Sequence, residues 1–582
     1  MKMRHLNTKM VIFLAIVIVI FASFLRLYKL DSIPSSLYWE EAALGYDAFS
    51  IAQTGKDHHG NSFPFVAFTS FGDYKPSGYF YAVVPFIKLL GLSEWSVRLP
   101  SATSGVATVV GIGFLVHYLS KSLWPLTSDR FHRLSFLVGL VVAATSPWLI
   151  QFSRGGWEAN LATSLLLWSV LLGLWSLSDV SSKYLKIFVS CALTALSMYV
   201  YHATRVIAPA VLLAVFILWI LPSLETSKFH ISRLFDAIKK VLLPGCFFLF
   251  LVAPLIFSSR DVSTQQRFAE TSLTSDGQYV IASNRFRAMA GENLVSSIFT
   301  HRYLILGQEV SAAFLSHFSA DFLFVSGDNN PRHSTGFTGI MLLTDLAWIV
   351  AAVVPLADAS RKSIKARKLT IFMAWWLCIG ILPAALTKAY PHALRILPVA
   401  PVFLTVISIG ILQILIWLKK LLSPKVFMVS LVAIGLVVTG FWLNYWRFYT
   451  NIYPITSQVY WQYGYKQMVS MLNQAISQHA EASVFVTREY GRPAMYYWFY
   501  SSTNPGDVQN ADSAAMKDQE EFLSFKNISF INTVNEAKPG IVASSEQGFN
   551  QLKKQFSSVE KISDVRDSRD HVVWVISRVG PQ

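Results

Sequence analysis

The chain has 582 residues, of which 53% are hydrophobic and only 14% are charged. Soluble globular proteins are far less apolar, so this composition excludes an ordinary soluble enzyme and indicates a polytopic membrane protein. The formal net charge is +15. The basic residues nevertheless occur in short clusters between apolar segments, which is the pattern of membrane topology and not of a nucleic-acid-binding surface. We therefore expect no nucleic acid among the partners.

The three cysteines, Cys191, Cys246 and Cys378, lie far apart in separate apolar segments. Their spacing does not match that of a metal-binding cysteine cluster, so we expect no disulfide and no zinc–cysteine site.

Eleven apolar segments are long enough to be membrane spans, since a helix needs roughly 20 residues to cross the hydrocarbon core. They cover approximately residues 10–28, 97–119, 134–152, 160–178, 184–201, 204–222, 240–258, 337–356, 369–387, 394–418 and 425–446. The first segment follows three basic residues, as a signal peptide would. It is long for a signal-peptide core and no small-residue cleavage site follows, so we expect an uncleaved anchor.

The basic loops predict the orientation of these spans. With the N-terminus in the cytoplasm, every strongly basic loop falls inside, as cytoplasmic loops should. This holds only if the segment from Pro76, which contains Pro85 and Lys88, does not cross the membrane. We expect that segment to lie along the outer surface. The loops at about 29–96 and 259–336 then face outwards from a cytoplasmic membrane.

The region after the last span is polar and mixes helix-like with strand-like segments. "QVYWQYGYKQMVSMLNQAISQ" has a helical pattern, whereas "ASVFVT", "ISFIN", "GIVAS" and "HVVWVISRV" have strand patterns. We predict a transmembrane module over residues 1–447 and a small extracytoplasmic α/β domain over residues 448–582.

The first outer loop contains two adjacent acids, Glu40 and Glu41, in a segment with helical periodicity that starts near Trp39 and has a stop at Gly55. Acids in a first turn can serve simply to offset the helix dipole. Neighbouring helical positions are also turned by about 100°, so both acids cannot face one site. We expect at most one of them to be a chemical group.

A second polar segment, "SFGDYKPSGYFY", places Asp73, Tyr74 and Lys75 directly before Pro76. The proline biases Lys75 towards an extended conformation at the entry to the interfacial segment. An ammonium group at the depth of the headgroups can bind a phosphate, or it can simply extend its charge to the membrane surface.

Further polar residues lie near the outer ends of predicted spans. Single residues of this kind usually anchor a helix at the interface. Several cations at one depth would instead suit an anionic headgroup, and the topology rule predicts few positive residues on this side. The polar residues near these outer span ends are Arg154, Glu158, His202, Arg205, Asp328, Arg332, His333, His392 and Arg395.

Three elements of the first loop, "WEEA", "DYKPSGYFY" and "LSEWSVRLPSA", occur in that order over about 65 residues. In this the chain resembles the lipid-carrier-dependent glycosyltransferases of the GT-C superfamily, notably the protein O-mannosyltransferases and the lipid A aminoarabinose transferases. The resemblance implies a GT-C-like fold of about 11 transmembrane helices with a C-terminal extracytoplasmic domain.

The resemblance also implies residue roles. Glu40 falls where the family has an aspartate taken as catalytic base, and Glu41 falls on the acid that follows. Lys75 matches a lysine that contacts the carrier phosphate. Two departures, Glu for Asp at Glu40 and Ser77 for the second proline of a "KPP" segment, leave the choice between the two glutamates open. Tyr74 replaces an acid of the aminoarabinose branch, which weakens any transfer of that specificity or of a metal site.

The function that fits is inverting transfer of a sugar from a polyprenyl-phosphate carrier to an acceptor hydroxyl on protein, lipid or cell-envelope polysaccharide. One carboxylate takes the acceptor proton, and cations stabilise the phosphate leaving group. Arg395 and Arg205 are further candidates for phosphate binding. Residues expected to line the substrates are Trp39, Asp73, Tyr74, Tyr79, Arg332, His333 and His392. A divalent metal is possible, but no ligand spacing commits to one.

Two other classes of function stay open. A lipid-linked sugar transporter or flippase would also need many spans and intramembrane charges, although paired halves with interrupted helices are not evident in the sequence. A sensor or scaffold would use the outer domain for ligand binding, with Glu40 and Lys75 purely structural.

Overall fold

The computed structural model describes residues 7–177, 182–224, 231–258, 272–291, 293–479, 481–511, 516–517 and 521–581. The chain folds as two compact units. The helical unit comprises Met1–Leu27, Ser101–Ser153 and Trp157–Trp446. The mixed unit comprises Tyr28–Pro100, Arg154–Gly156 and Arg447–Gln582, so it joins the first predicted outer loop with the C-terminal region.

Helices dominate the chain. Up to the long predicted outer loop they are α1 (Thr8–Leu27), α2 (Trp39–Thr54), α3 (Gly78–Leu90), α4 (Glu94–Leu123), α5 (Asp129–Thr145), α6 (Pro147–Ser153), α7 (Glu158–Ser176), α8 (Lys183–Val200), α9 (Thr204–Leu224) and α10 (Ile231–Ser258). They continue with α11 (Gln278–Ala290), α12 (Leu294–Phe299), α13 (Arg302–Ser316), α14 (Asp345–Lys362), α15 (Ile364–Ala385), α16 (Ala400–Leu421), α17 (Pro424–Arg447), α18 (Tyr453–Thr456), α19 (Tyr465–Gln478), α20 (Pro493–Tyr500), α21 (Pro505–Gln509) and α22 (Glu546–Gln555).

In the described residues, nine helices are long and apolar enough to cross a membrane, and the pair α5–α6, bent by 58°, would make ten. The chain is therefore a polytopic helical membrane protein. Ten of the eleven predicted segments correspond to these helices. α3 has 13 residues and a length of about 20 Å, less than the thickness of the hydrocarbon core.

The predicted span at residues 337–356 is the exception. Its first residues are not helical, and α14 begins only at Asp345 and runs on to the charged Arg361 and Lys362. The apolar residues before it make other backbone bonds, because the N–H of Met341 donates to the carbonyl of Leu323 at 2.8 Å. A side chain at Gly339 would collide with that same carbonyl. This segment therefore packs on the π-helical turn Asp321–Val325 instead of lengthening the helix.

The C-terminal part of the mixed unit contains a six-stranded sheet in the order β6-β7-β3-β8-β10-β9. The central strand β3 (Val484–Thr487) runs parallel to β7 (Ile528–Ile531) and to β8 (Gly540–Ser544), and β8 pairs antiparallel with β10 (Val572–Val579). The remaining strands of the unit are β1 (Ala67–Ser70), β2 (Asp73–Pro76), β4 (Met516–Lys517), β5 (Glu521–Phe522), β6 (Ser524–Phe525) and β9 (Val559–Arg566).

The predicted α/β character of this region is confirmed. All four predicted strands are present, and the predicted helix is α19. Its apolar face, formed by Tyr465, Met468, Val469 and Leu472, is buried. The edge strand β9 was not predicted because its sequence, "VEKISDVR", is mostly charged or polar, and only Val565 in it is buried.

Candidate active site in the first loop

The helix α2 carries the two adjacent glutamates in its first turn. Tyr38 is the N-cap, and its backbone N–H donates to Oε2 of Glu41 at 3.3 Å. The helix ends at Thr54, where Gly55 adopts a φ of 72° and its N–H donates to the carbonyl of Ile51. This left-handed conformation suits glycine and stops the helix at the residue that the sequence indicated.

Glu41 is committed to structural bonds. Its side chain is fully buried, and Arg98 contacts both carboxylate oxygens, at 3.0 Å from Nε and 3.2 Å from Nη2. The backbone N–H of Gly156 donates to Oε1 at 2.7 Å. Two parallel bonds from a guanidinium, with further backbone donors, fix the position of this carboxylate.

Arg98 gives Glu41 a rigid support. Its Nη1 donates to the carbonyls of Leu30 and Pro34, and its Nη2 also donates to that of Ser36. The side chain is wholly buried. The guanidinium thus holds the segment before α2 through three backbone carbonyls. Its own buried charge is paired with Glu41 and fully hydrogen-bonded, as a buried charge must be.

Glu40 has a different environment, although it is the next residue along the helix. Its side chain is 35% exposed. Oε1 accepts a hydrogen bond from Nζ of Lys75 at 2.6 Å, and Oε2 accepts one from the hydroxyl of Tyr38 at 3.0 Å. Both partners are themselves buried, so the exposed third of the Glu40 side chain is the part that a substrate can reach.

Lys75 lies between two carboxylates. Its Nζ is 2.6 Å from Glu40 and 3.0 Å from Oδ2 of Asp73, and its side chain is only 7% exposed. The three groups carry a net charge of −1 when all are ionised. An ammonium has three donors. Those donors can be shared with an anionic ligand if one carboxylate moves away.

A β-hairpin places Lys75 opposite α2. Strands β1 and β2 are antiparallel, with Lys75 paired to Phe68, and the turn residues Phe71 and Gly72 have φ of 55° and 74°. Two consecutive residues with positive φ form the tight turn favoured in hairpins. The extended conformation predicted for Lys75 from the following proline is observed.

The predicted aromatic residues occupy three different environments. Tyr79 is fully buried and its hydroxyl donates to the carbonyl of Val97 at 3.0 Å, so it supports α4 and does not line an open surface. Tyr74 is partly exposed on β2. Trp39 lines a cleft of about 410 Å³ together with Tyr490, and its ring packs over Gly491.

The other predicted site residues belong to the helical unit. Arg395 donates from Nη1 to Oγ1 of Thr387 and to the carbonyl of Lys388, both at 2.7 Å. Arg205 donates to the carbonyl of Met198 at 3.4 Å. Arg332 is partly buried, and its carbonyl accepts from Nε2 of Gln151 at 2.8 Å.

His333 and His392 meet around Asp328. Nδ1 of His333 is 3.2 Å from Oδ2 of Asp328, Nδ1 of His392 is 3.8 Å from the same oxygen, and the two rings are 4.8 Å apart. Burial opposes ionisation of Asp328, but the hydrogen bond and charge of His333 lower the pKa of this carboxyl below its usual value. Burial and the nearby His333 and Arg395 lower the pKa of His392 well below that of a free histidine.

Within the mixed unit, the structure brings Glu40, Asp73 and Lys75 together, and within the helical unit it brings His333 and His392 together. Sequence reasoning did not assign Arg98 as the partner of Glu41 or Tyr38 as that of Glu40. Arg98 lies in the segment "SVRLPSA" that supported the family resemblance, so a signal for it was present. The pairing itself is 57 residues apart and has no local signature.

Comparisons with known proteins agree with this architecture. No family model matches the chain, and no curated protein matches it. Among solved structures, the chain is similar to ArnT from Cupriavidus metallidurans bound to undecaprenyl phosphate. The match covers 99% of this chain and 100% of ArnT, with a TM-score of 0.52 and 12% sequence identity. The apo form of the same protein gives a TM-score of 0.49 at 11% identity, covering 98% of each chain.

The oligosaccharyltransferase of Archaeoglobus fulgidus in its apo form is also similar, with a TM-score of 0.44 and 10% identity over 94% of this chain and 70% of that one. At such identities the match to ArnT establishes the fold. The predicted fold, a polytopic helical protein with a small C-terminal α/β domain, is therefore confirmed, and it is similar to the fold of ArnT.

Proposed function

We propose that this chain is a glycosyltransferase that transfers a sugar from a polyprenyl-phosphate carrier to an acceptor hydroxyl, with Glu40 as the general base. The observation that carries the proposal is the pairing of a partly exposed carboxylate, Glu40, with the ammonium of Lys75 at 2.6 Å. A base and a phosphate partner in contact are the two groups that this reaction requires.

The two glutamates of the first turn have different roles in this proposal. The carboxylate of Glu41 accepts bonds from Arg98, Gly156 and Tyr38 and is fully buried, so it has no surface to offer an acceptor. Glu40 keeps about a third of its side-chain surface open. Its contact with Lys75 can be exchanged for a contact with substrate.

The reaction proceeds by direct displacement. The phosphate of the donor contacts Lys75 and takes the place of one of its carboxylate partners. The freed Glu40 accepts the proton of the acceptor hydroxyl as its oxygen attacks the anomeric carbon. The bond from that carbon to the phosphate oxygen breaks, and the carrier phosphate keeps the electron pair. One displacement inverts the anomeric centre.

Asp73 supports Lys75 in this proposal, because it can hold the ammonium in place when Glu40 moves away. The similar structure of ArnT has undecaprenyl phosphate bound, which supports a carrier of this chemical class.

We propose that the acceptor binds beside α2. Trp39 precedes Glu40 and lines the cleft with Tyr463, Tyr490 and the amide side chains of Gln458 and Gln462. Aromatic rings and amides suit a sugar or peptide acceptor equally, so protein, lipid and polysaccharide acceptors all stay open. The reaction would take place at the outer face of a cytoplasmic membrane, with residues 1–447 as transmembrane module and residues 448–582 as extracytoplasmic domain.

The test is acceptor labelling from a radiolabelled polyprenyl-phosphate sugar in vesicles that contain the purified protein. We expect E40Q to lower the turnover number by about 100-fold or more, because a positioned base contributes about 10²–10⁴-fold. The matched control is E560Q, which removes an exposed carboxylate on β9 and should leave the rate unchanged. Labelling by E40Q at the rate of the parent protein would contradict the assignment.

A donor titration separates the role of Lys75. K75A should raise the donor KM by about tenfold or more, since it removes a charged contact to the phosphate. The control K56A changes a lysine in the same loop. An unchanged KM in K75A would mean that Lys75 only orients Glu40. Donor that crosses the bilayer without any acceptor labelling would favour the flippase alternative.

A further inference from the structure

A buried cluster in the helical unit shares no residue with the first-loop site. Asp328 and His333 lie in one loop, and His392 lies 59 residues beyond His333 at the segment before α16. The ligand atoms offered by these three residues all lie within 4.8 Å of one another. Asp328 and His333 are buried, and the side chain of His392 is only 14% exposed.

Backbone and neighbouring groups hold the three side chains in place. Oδ2 of Asp328 accepts from the N–H of Ala393 at 2.7 Å, and Oδ1 accepts from the N–H of Asn330 at 2.8 Å. The N–H of His392 donates to Nε2 of His317 at 3.2 Å. Supports of this kind orient the ligands around metal ions and fix their rotamers.

The geometry of the cluster suits metal binding. The two imidazole rings are 4.8 Å apart and face the same oxygen, Oδ2 of Asp328, at 3.2 Å from Nδ1 of His333 and 3.8 Å from Nδ1 of His392. Imidazole nitrogens and carboxylate oxygens are ordinary metal ligands, and here three of them converge on one point.

The donor set selects the kind of metal. Two nitrogens and one oxygen suit Zn²⁺, which binds histidine at about 2.0–2.1 Å and carboxylate at about 2.0–2.2 Å. Ca²⁺ and Mg²⁺ prefer sites made of oxygen alone. Three protein ligands leave one position of a tetrahedron for water or for an anionic oxygen.

We propose that Asp328, His333 and His392 bind one Zn²⁺ ion, which joins the loop at residues 328–333 to the segment before α16. On binding, the metal takes the place of the hydrogen bond between His333 and Asp328, and the proton of that bond moves to the other nitrogen of the His333 ring. His333 and His392 are also among the residues predicted to line the substrates, but zinc binding is measured without the transfer reaction, so this proposal can be tested independently of the proposed function.

Metal content tests the proposal. Purified protein in detergent is stripped with a chelator, dialysed against Zn²⁺ and analysed for bound zinc, and a second sample is titrated with Co²⁺ to read its visible absorption. We expect about one zinc per chain and the intense spectrum of four-coordinate cobalt with mixed nitrogen and oxygen ligands. The double variant H333A/H392A should lose both, with affinity lowered by at least about tenfold.

A matched variant removes the same number of imidazoles elsewhere. His479 and His571 lie in the mixed unit, and H479A/H571A should bind zinc as the parent protein does. Because H333A/H392A can fail to fold, D328N is measured as well, with thermal unfolding with and without Zn²⁺. The midpoint should rise with Zn²⁺ and not with Mg²⁺ in the parent protein, and should not respond in D328N. Equal zinc content in the parent and in D328N would overturn the proposal.

Discussion

Two identical side chains, adjacent in sequence, have opposite environments in the first turn of α2. Glu41 is buried against a guanidinium, and Glu40 is partly open beside an ammonium. The turn of about 100° per residue predicted that they face different directions. The sequence could not say which one is buried, because the partners of Glu41 are Arg98 and Gly156, 57 and 115 residues away.

We predict that E41Q destabilises the fold far more than E40Q does. Removing one partner from a buried, hydrogen-bonded ion pair costs about 3–5 kcal/mol, because Arg98 keeps its charge and loses its counter-ion. Glu40 is partly exposed, so E40Q should change the free energy of unfolding by less than about 1 kcal/mol. Chemical unfolding in micelles measures both. Equal stability of the two variants would show that Glu41 is not the structural member of the pair.

At the scale of elements, the sequence predicted the bounds of α2 correctly but placed the start of α14 about eight residues too early. The helical periodicity from Trp39 and the glycine stop at Gly55 are local signals, and the helix has those bounds. The apolar residues before Asp345 have the composition of a span. Their backbone bonds go instead to the turn at Asp321–Val325, and only the three-dimensional fold provides that partner.

The packing of α2 against α20 leads to a second prediction. A methyl group at Gly45 would lie 2.6 Å from the side chains of Phe499 and Val97. We expect G45A to lower the free energy of unfolding by about 1–3 kcal/mol through overpacking, in spite of the better helix propensity of alanine.

Gly435 provides the comparison for this substitution, because it also lies within a helix, α17, and a methyl group there would meet no atom within 4 Å. G435A should be neutral or slightly stabilising. If G45A and G435A unfold at the same temperature, α2 and α20 are not in the close contact described.

For the whole molecule, hydropathy predicted the membrane character and strand patterns predicted the α/β domain. The division of the chain into two units could not be predicted from the sequence, because it depends on contacts between segments that are distant along the chain. The hydroxyl of Tyr46 donates to the carbonyl of Thr503, and that of Tyr496 donates to the carbonyl of Leu37. Such pairs are more than 450 residues apart in sequence, so no local pattern encodes them.

A partly buried histidine of the mixed unit gives stability a dependence on pH. Burial and the neighbouring His58 lower the pKa of His59 from 6.5 to about 3. Between these values the unfolded chain binds a proton that the folded chain does not. The contribution is therefore fully present above pH 6.5 and is lost as the pH falls, at up to about 1.4 kcal/mol per pH unit.

We predict that H59Q reduces the loss of stability between pH 6.5 and pH 4. The measurement is the free energy of unfolding across this range for the parent protein, H59Q and the control H479Q. The difference between parent and variant cancels the contributions of other titrating groups, such as Asp57. Parallel pH profiles for the parent and H59Q would contradict the assignment.

The bonds of the first loop also impose an order on biosynthesis. The ribosome makes Glu40 and Glu41 early, but Arg98, Gly156 and the carbonyl-binding Tyr496 follow only as the chain lengthens. A nascent chain that has just inserted its first spans thus has its acidic turn without the groups that hold it in shape. The first turn of α2 and the segment before it have all of these partners only after the segment that contains Tyr496 has been made, so a chain truncated before it would insert its spans without them.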